Sequence, residues 1–122
     1  MPVRSLNSSV LKWPDARSVD RAVRSWTAEQ LERRPDIVAV GYFGSYARGD
    51  WGVGSDLDLI AVVKETGKPF ERRPVEWDLS SLPVPSELLV YSLSEWEKRI
   101  GHNDRFARML KREVVWTYRA FS

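Results

Sequence analysis

The chain is a series of apolar runs separated by short polar breaks. After Asp15, residues Val19, Ala22, Val23, Trp26 and Leu31 recur at helical spacing, with arginines and glutamates on the opposite side. An aspartate in that place can accept from the first free backbone N–H groups, so the pattern predicts a helix over Ala16 to Arg33 capped by Asp15. Pro35 and Asp36 break it. The next run, Ile37-Val38-Ala39-Val40-Gly41-Tyr42-Phe43, is made of strand formers and is apolar on both faces, as a strand in the middle of a covered sheet must be. Gly44 to Asp50 reads as a turn feeding a short helix, and Trp51 to Ser55 as a glycine-rich loop. Asp56-Leu57-Asp58-Leu59 alternates acid with leucine and passes into the apolar Ile60-Ala61-Val62-Val63, which predicts a second strand.

Residues 64–73 are a polar connection. Val75–Leu79 and Glu87–Ser92 read as two further strands, separated by Leu82-Pro83-Val84-Pro85. Ser94-Glu95-Trp96-Glu97 has the spacing of a capping box and predicts a helix start there. Gly101 to Asp104 interrupts that helix, and a last one is expected over Arg105 to Tyr118, with Phe106, Met109, Leu110, Val114 and Thr117 inward. The fold class is therefore α/β (α+β), a mixed β-sheet flanked by helices. Residues 1–14, ending in Trp13-Pro14, have no clear period and read as an N-terminal arm, which leaves 15–122 as one domain.

Composition narrows this picture in three ways. There is no cysteine, so disulfides, thiolate metal sites and cysteine nucleophiles are excluded, and a reducing cytoplasm is the expected location. The first residues carry no continuous apolar segment of signal-peptide type, and the Ile37–Phe43 run is too short to span a membrane. The net charge is only +2, with no stripe of interleaved aromatic and basic residues, which argues against nucleic acid as the main partner. Arginine outnumbers lysine fourteen to five, which reads as compositional bias before it reads as a set of phosphate forks. The six tryptophans are scattered and suit core and rim packing. His102, the only histidine, sits between two helices and reads as an exposed loop residue.

The chemistry concentrates between residues 44 and 58. Asp56 and Asp58 alternate around Leu57 on a predicted strand, so both carboxylates point to one face, with Cα atoms roughly 7 Å apart. Two like charges held that close are unfavourable unless a cation joins them, and an all-oxygen set with room for phosphate and water suits Mg²⁺. Separated from Asp56 by ten residues, Gly44-Ser45 ends a buried strand and opens a helix. There the backbone can approach a phosphate closely, and the Ser45 hydroxyl adds a donor. A phosphate cradle facing a carboxylate pair is suited to phosphoryl or nucleotidyl transfer.

The stretch GYFGSYARGDWGVGSDLDLIAVV resembles the polymerase-β-like nucleotidyltransferase superfamily, above all its minimal stand-alone prokaryotic members. The likeness is specific over residues 37–63 and continues more loosely through LPVPSELLVYSLSEWEK and the last helix. It implies the nucleotidyltransferase fold, with triphosphate held by Gly44 and Ser45 and metal ligated by Asp56 and Asp58. Arg48, in the Ala-Arg-Gly segment, would either support the phosphates or make an ion pair with Asp50 or another acid. The family's third carboxylate falls on Glu87, with Asp78 and Glu76 as rivals, and would complete the catalytic and metal set.

The resemblance further implies Mg²⁺ as cofactor, ATP as donor and AMP transfer to a hydroxyl acceptor. The acceptor surface would come from another chain, either a second copy or a small all-helical HEPN-type protein. The pair would then act as a toxin–antitoxin system. Two rival readings are a catalytically lapsed domain that only grips nucleotide or partner, and a tRNA-modifying protein.

Overall fold

The computed structural model describes residues 13–120. Helix α1 (Ala16–Arg33) begins where the pattern places it, with the Asp15 carboxylate accepting from the Ser18 N–H at 2.9 Å. Strand β1 (Ile37–Phe43) is buried at every position. A single turn of helix, α2 (Ser45–Arg48), follows. Strand β2 (Leu57–Val63) pairs antiparallel with β1, and strand β3 (Ser86–Ser92) pairs parallel with β2. Two nine-residue helices come next, α3 (Leu93–Gly101) and α4 (Arg105–Glu113), and then strand β4 (Val115–Arg119). The sheet order is β3-β2-β1-β4, so the two strands that read as most apolar are the central pair.

Each sheet face is covered. On one, Val19, Val23 and Trp26 of α1 pack on Val40, Tyr42, Leu57, Leu59, Leu88 and Val90. On the other, Trp96 of α3 and Leu110 of α4 pack on Val38, Phe43, Ile60 and Val62. Trp26 is fully buried, and truncating it to alanine would cost about 3–5 kcal/mol. Its indole N–H donates to the Asp78 carbonyl at 2.7 Å, which ties α1 to the connection between β2 and β3.

That connection departs from the sequence expectation. Val75–Leu79 forms no strand, and Phe70–Glu76 is instead a 3-10 helix with Pro74 inside it. A parallel return from β2 to β3 needs a crossover rather than a hairpin strand, and the 3-10 segment with buried Trp77 fills it. The capping box also shifts by two residues. Ser92 is the N-cap of α3, its hydroxyl accepting from the Glu95 N–H while Glu95 accepts from the Ser92 N–H.

The last helix is shorter than its apolar spacing suggests. It ends at Glu113, and Val115-Trp116-Thr117-Tyr118 becomes β4 along the second edge of β1. Val114 and Thr117 continue the helical spacing of Leu110, but β1 has backbone donors and acceptors on that edge that must be paired. The β-branched and aromatic residues there suit a strand. Thr117 fixes the join, sharing a 2.7 Å hydrogen bond with Thr27 of α1 and donating to the Val40 carbonyl at 3.1 Å.

Of the expected arm, only Trp13 and Pro14 lie among the described residues. The Trp13 indole donates to the Tyr46 hydroxyl at 2.7 Å and packs on the α1-side core. No helix among the described residues is long and apolar enough to cross a membrane.

Candidate functional site

The site follows from strand directions. Antiparallel pairing brings the end of β1 to the start of β2, so Phe43 stands opposite Asp58. Parallel pairing then sets Glu87 beside Asp58 on the other side. Asp58 has the parity of Ile60 and Val62, and Glu87 that of Leu89, all on the α3–α4 face. Asp56 precedes the strand and is exposed, as is Glu87, while Asp58 is half-buried. Three carboxylates, two on neighbouring strands and one just before β2, thus share one end of the sheet.

Gly44 closes this end from the β1 side. Its φ of 84° and ψ of −152° belong to a region that only glycine adopts freely. A Cβ on Gly44 would stand 2.3 Å from Asp58 Oδ2, so the missing side chain is what lets the carboxylate lie against the backbone. The Gly44 carbonyl accepts from the Ala47 and Arg48 N–H groups at 3.0 and 2.9 Å and starts α2, with half-buried Ser45 at its first position.

The electrostatics of the cluster are unbalanced. Burial pushes the Asp58 carboxyl above the ordinary aspartate range, and the charges of Glu87 and Asp56 push it further, while Arg48 opposes them. Arg48 itself is ion-paired, its Nε 3.0 Å from Asp50 and its Nη1 3.2 Å from Glu113. Of the two roles open to it, the structure displays the ion pair. Glu113 is not among the sequence candidates, because the helical spacing runs on to Tyr118 whereas α4 ends at Glu113. Among the described residues no three acidic or histidine side chains yet converge tightly enough to hold an ion. Asp56 and Glu87 are exposed side chains that can turn toward Asp58, and a cation would relieve the repulsion, so the donor set fits a hard divalent metal.

The rival acids lie elsewhere. Asp78 accepts from the Ser80 N–H at 2.9 Å, and Glu76 pairs with Lys68, both in the crossover near the C-terminal end of α1. Neither contributes to the charge felt by Asp58. His102 is exposed at the C-cap of α3.

This geometry can be set beside known proteins. The sequence profile of the nucleotidyltransferase domain family matches residues 24–115, from within α1 to the first residue of β4. A Sulfolobus solfataricus protein assigned to the nucleotidyltransferases superimposes with a TM-score of 0.62 at 19% identity, over 85% of this chain and 83% of that one. A chain of a toxin–antitoxin complex solved with AMP-PNP superimposes with a TM-score of 0.56 at 16% identity, over 79% of this chain and 73% of that one. At such identities the likeness bears on the fold. No curated protein matches the chain.

Proposed function

The chain belongs to the nucleotidyltransferase domain family, and we propose that it transfers AMP from ATP to a hydroxyl on a macromolecular partner, with Mg²⁺ as cofactor. The observation that carries this reading is Asp58 held against the Gly44 backbone with Glu87 in register beside it and Asp56 just before it. Asp56 and Asp58 would hold the metal, with Glu87 completing the set. Bound there, Mg²⁺ would neutralise charge on the triphosphate. The Gly44–Ser45 backbone and the Ser45 hydroxyl would orient the phosphates. Arg48 would sit behind them, exchanging part of its pairing with Asp50 or Glu113.

In the transfer, the acceptor oxygen forms a bond to the α-phosphorus, the bond to pyrophosphate breaks, and pyrophosphate leaves. The acceptor proton would pass to a carboxylate oxygen of exposed Glu87. Nothing among the described residues forms a separate acceptor domain, because α3 and α4 both pack on the sheet. A second chain would therefore hold the hydroxyl in line. The fold likeness to a chain from a toxin–antitoxin complex supports a protein in that role, and a small helical HEPN-type protein is our choice.

The test incubates the chain with α-labelled ATP, Mg²⁺ and the protein encoded beside it. Label is expected on that protein and should vanish with Asp56→Asn. Glu87→Gln should cut transfer strongly and leave ATP affinity nearly unchanged, since this acid acts on the acceptor side. Asp78→Asn giving that phenotype instead of Glu87→Gln would overturn the third-acid assignment. ATP binding without transfer to any hydroxyl would favour a lapsed nucleotide-binding module. Label on added tRNA instead would favour the tRNA-modifying reading.

A further inference from the structure

The α3 face of the molecule carries an apolar groove, at the opposite end of the sheet from the carboxylates. Leu93, Trp96, Glu97 and Ile100 lie at i, i+3, i+4 and i+7 of α3, one continuous stripe. The described residues cover that stripe only in part. Trp96 is buried as a floor, but Leu93 and Ile100 remain half-exposed along a groove of about 870 Å³. Lys64 and Lys111 stand on its rim, and Glu97 is the one acid among the lining residues. Arg108 lies three residues before Lys111 on the same side of α4, and both are exposed. Elsewhere on these helices the acids are engaged: Asp104 with Arg99, Glu113 with Arg48, Glu95 with Arg73. Among the described lining residues two lysines stand against one glutamate, a small positive excess beside an apolar trough.

We infer that this groove seats an amphipathic helix of a partner protein, one whose apolar stripe is flanked by aspartates or glutamates. The trough supplies the apolar contact that a helix-in-groove complex needs, and the lysines select the flanking charge. A second copy of this chain is disfavoured, because a two-fold contact would gather four lysines and only two glutamates at one interface. A nucleic acid strand is disfavoured by the floor, since buried Trp96 offers no open ring for base stacking. The inference deepens the proposed function, on which it rests for the reason a partner is needed. The groove reaches Val38 at the start of β1, five residues from Phe43, so a helix held there is anchored roughly 17 Å from the carboxylates. Only an extended macromolecular acceptor spans both places.

The test uses the full isotope-labelled chain and two synthetic helical peptides of about 18 residues, five turns, sharing one leucine stripe. One is flanked by glutamates and the other by lysines. The glutamate peptide should shift the amide signals of Leu93, Ile100 and Lys111 and bind at least tenfold more tightly. Lys64→Glu with Lys111→Glu should reverse that preference while leaving ATP affinity unchanged. Equal affinity for the two peptides, shifts confined to other surfaces, or a short RNA displacing the glutamate peptide would each overturn the inference. Peptide binding does not depend on Asp56 or Asp58, so the Asp56→Asn protein should bind the glutamate peptide normally. Failure of nucleotide transfer and failure of docking are thereby read separately.

Discussion

The two ends of the β2–β3 pair handle charge in opposite ways. At the start of the strands, Asp58 faces Glu87 and Asp56, with only the already paired Arg48 opposing their charge. At the far end, buried Arg73 is matched at every donor group. Its Nη1 and Nη2 meet the two Glu95 oxygens at 2.7 and 3.1 Å, and its Nη1 and Nε reach the Val90 and Lys68 carbonyls at 2.9 and 2.8 Å. The matched end stabilises the fold. The unmatched end holds a repulsion that a bound cation would relieve, which is the signature of a site shaped for a ligand rather than for stability. Glycine marks the same contrast, since Gly44 accepts a backbone region closed to other residues so that Asp58 can approach.

The sharpest way to break this contrast is to remove the repelling charges. Asp56→Asn with Asp58→Asn should lower nucleotide transfer by roughly 1000-fold or more and abolish Mg²⁺-dependent ATP binding by calorimetry, with the circular dichroism spectrum unchanged. Unaltered ATP affinity in the double variant would remove the metal assignment. Next in size is Gly44→Ala, which sets a methyl against Asp58 Oδ2 at a positive φ. It should destabilise by about 2 kcal/mol or more in urea unfolding and weaken ATP binding as well. Stability equal to wild type would mean that the close approach is not enforced.

At the matched end, Arg73→Leu leaves two carbonyls and Glu95 without their partner, and should cost about 2–3 kcal/mol with ATP affinity intact. The pH dependence sharpens the difference between the ends. Arg73, followed by the Ser92 N–H, holds Glu95 down to about 2. Its contribution is therefore complete above the ordinary glutamate range and is lost as pH falls toward 2. Arg73→Leu should flatten that acid limb of the thermal stability profile.

Asp58 has the opposite sign, because its folded value lies above the ordinary one. Its penalty is absent below the ordinary aspartate range and grows as pH rises through the raised value. Asp58→Asn should thus give a small rise in metal-free Tm at neutral pH that disappears in acid. A loss of Tm at neutral pH would show that the carboxylate is internally satisfied after all.

Local chemistry made much of this visible in the sequence. The Asp15 cap, the buried β1 run, the Gly44–Ser45 turn and the alternation of Asp56 and Asp58 each depend on neighbours a few residues away. The pairing of Glu87 with Asp58 was also reachable, since a parallel β3 with its acid at the start of β2 is one simple register. What remained hidden depends on contacts distant in sequence. Thr117 and its neighbours keep helical spacing after Leu110, and only the open edge of β1 turns them into a strand. Val75 to Leu79 has strand composition, yet the parallel crossover and the seat of Trp77 beside Trp26 fold it otherwise. The Arg48–Glu113 and Arg73–Glu95 pairs span 65 and 22 residues, and no spacing rule connects them. The sequence alone determined which residues are candidates for metal and phosphate, because residue type and strand parity are read locally. Tertiary structure alone decided which charges are compensated, because compensation depends on which distant side chains the completed sheet brings within a few ångströms.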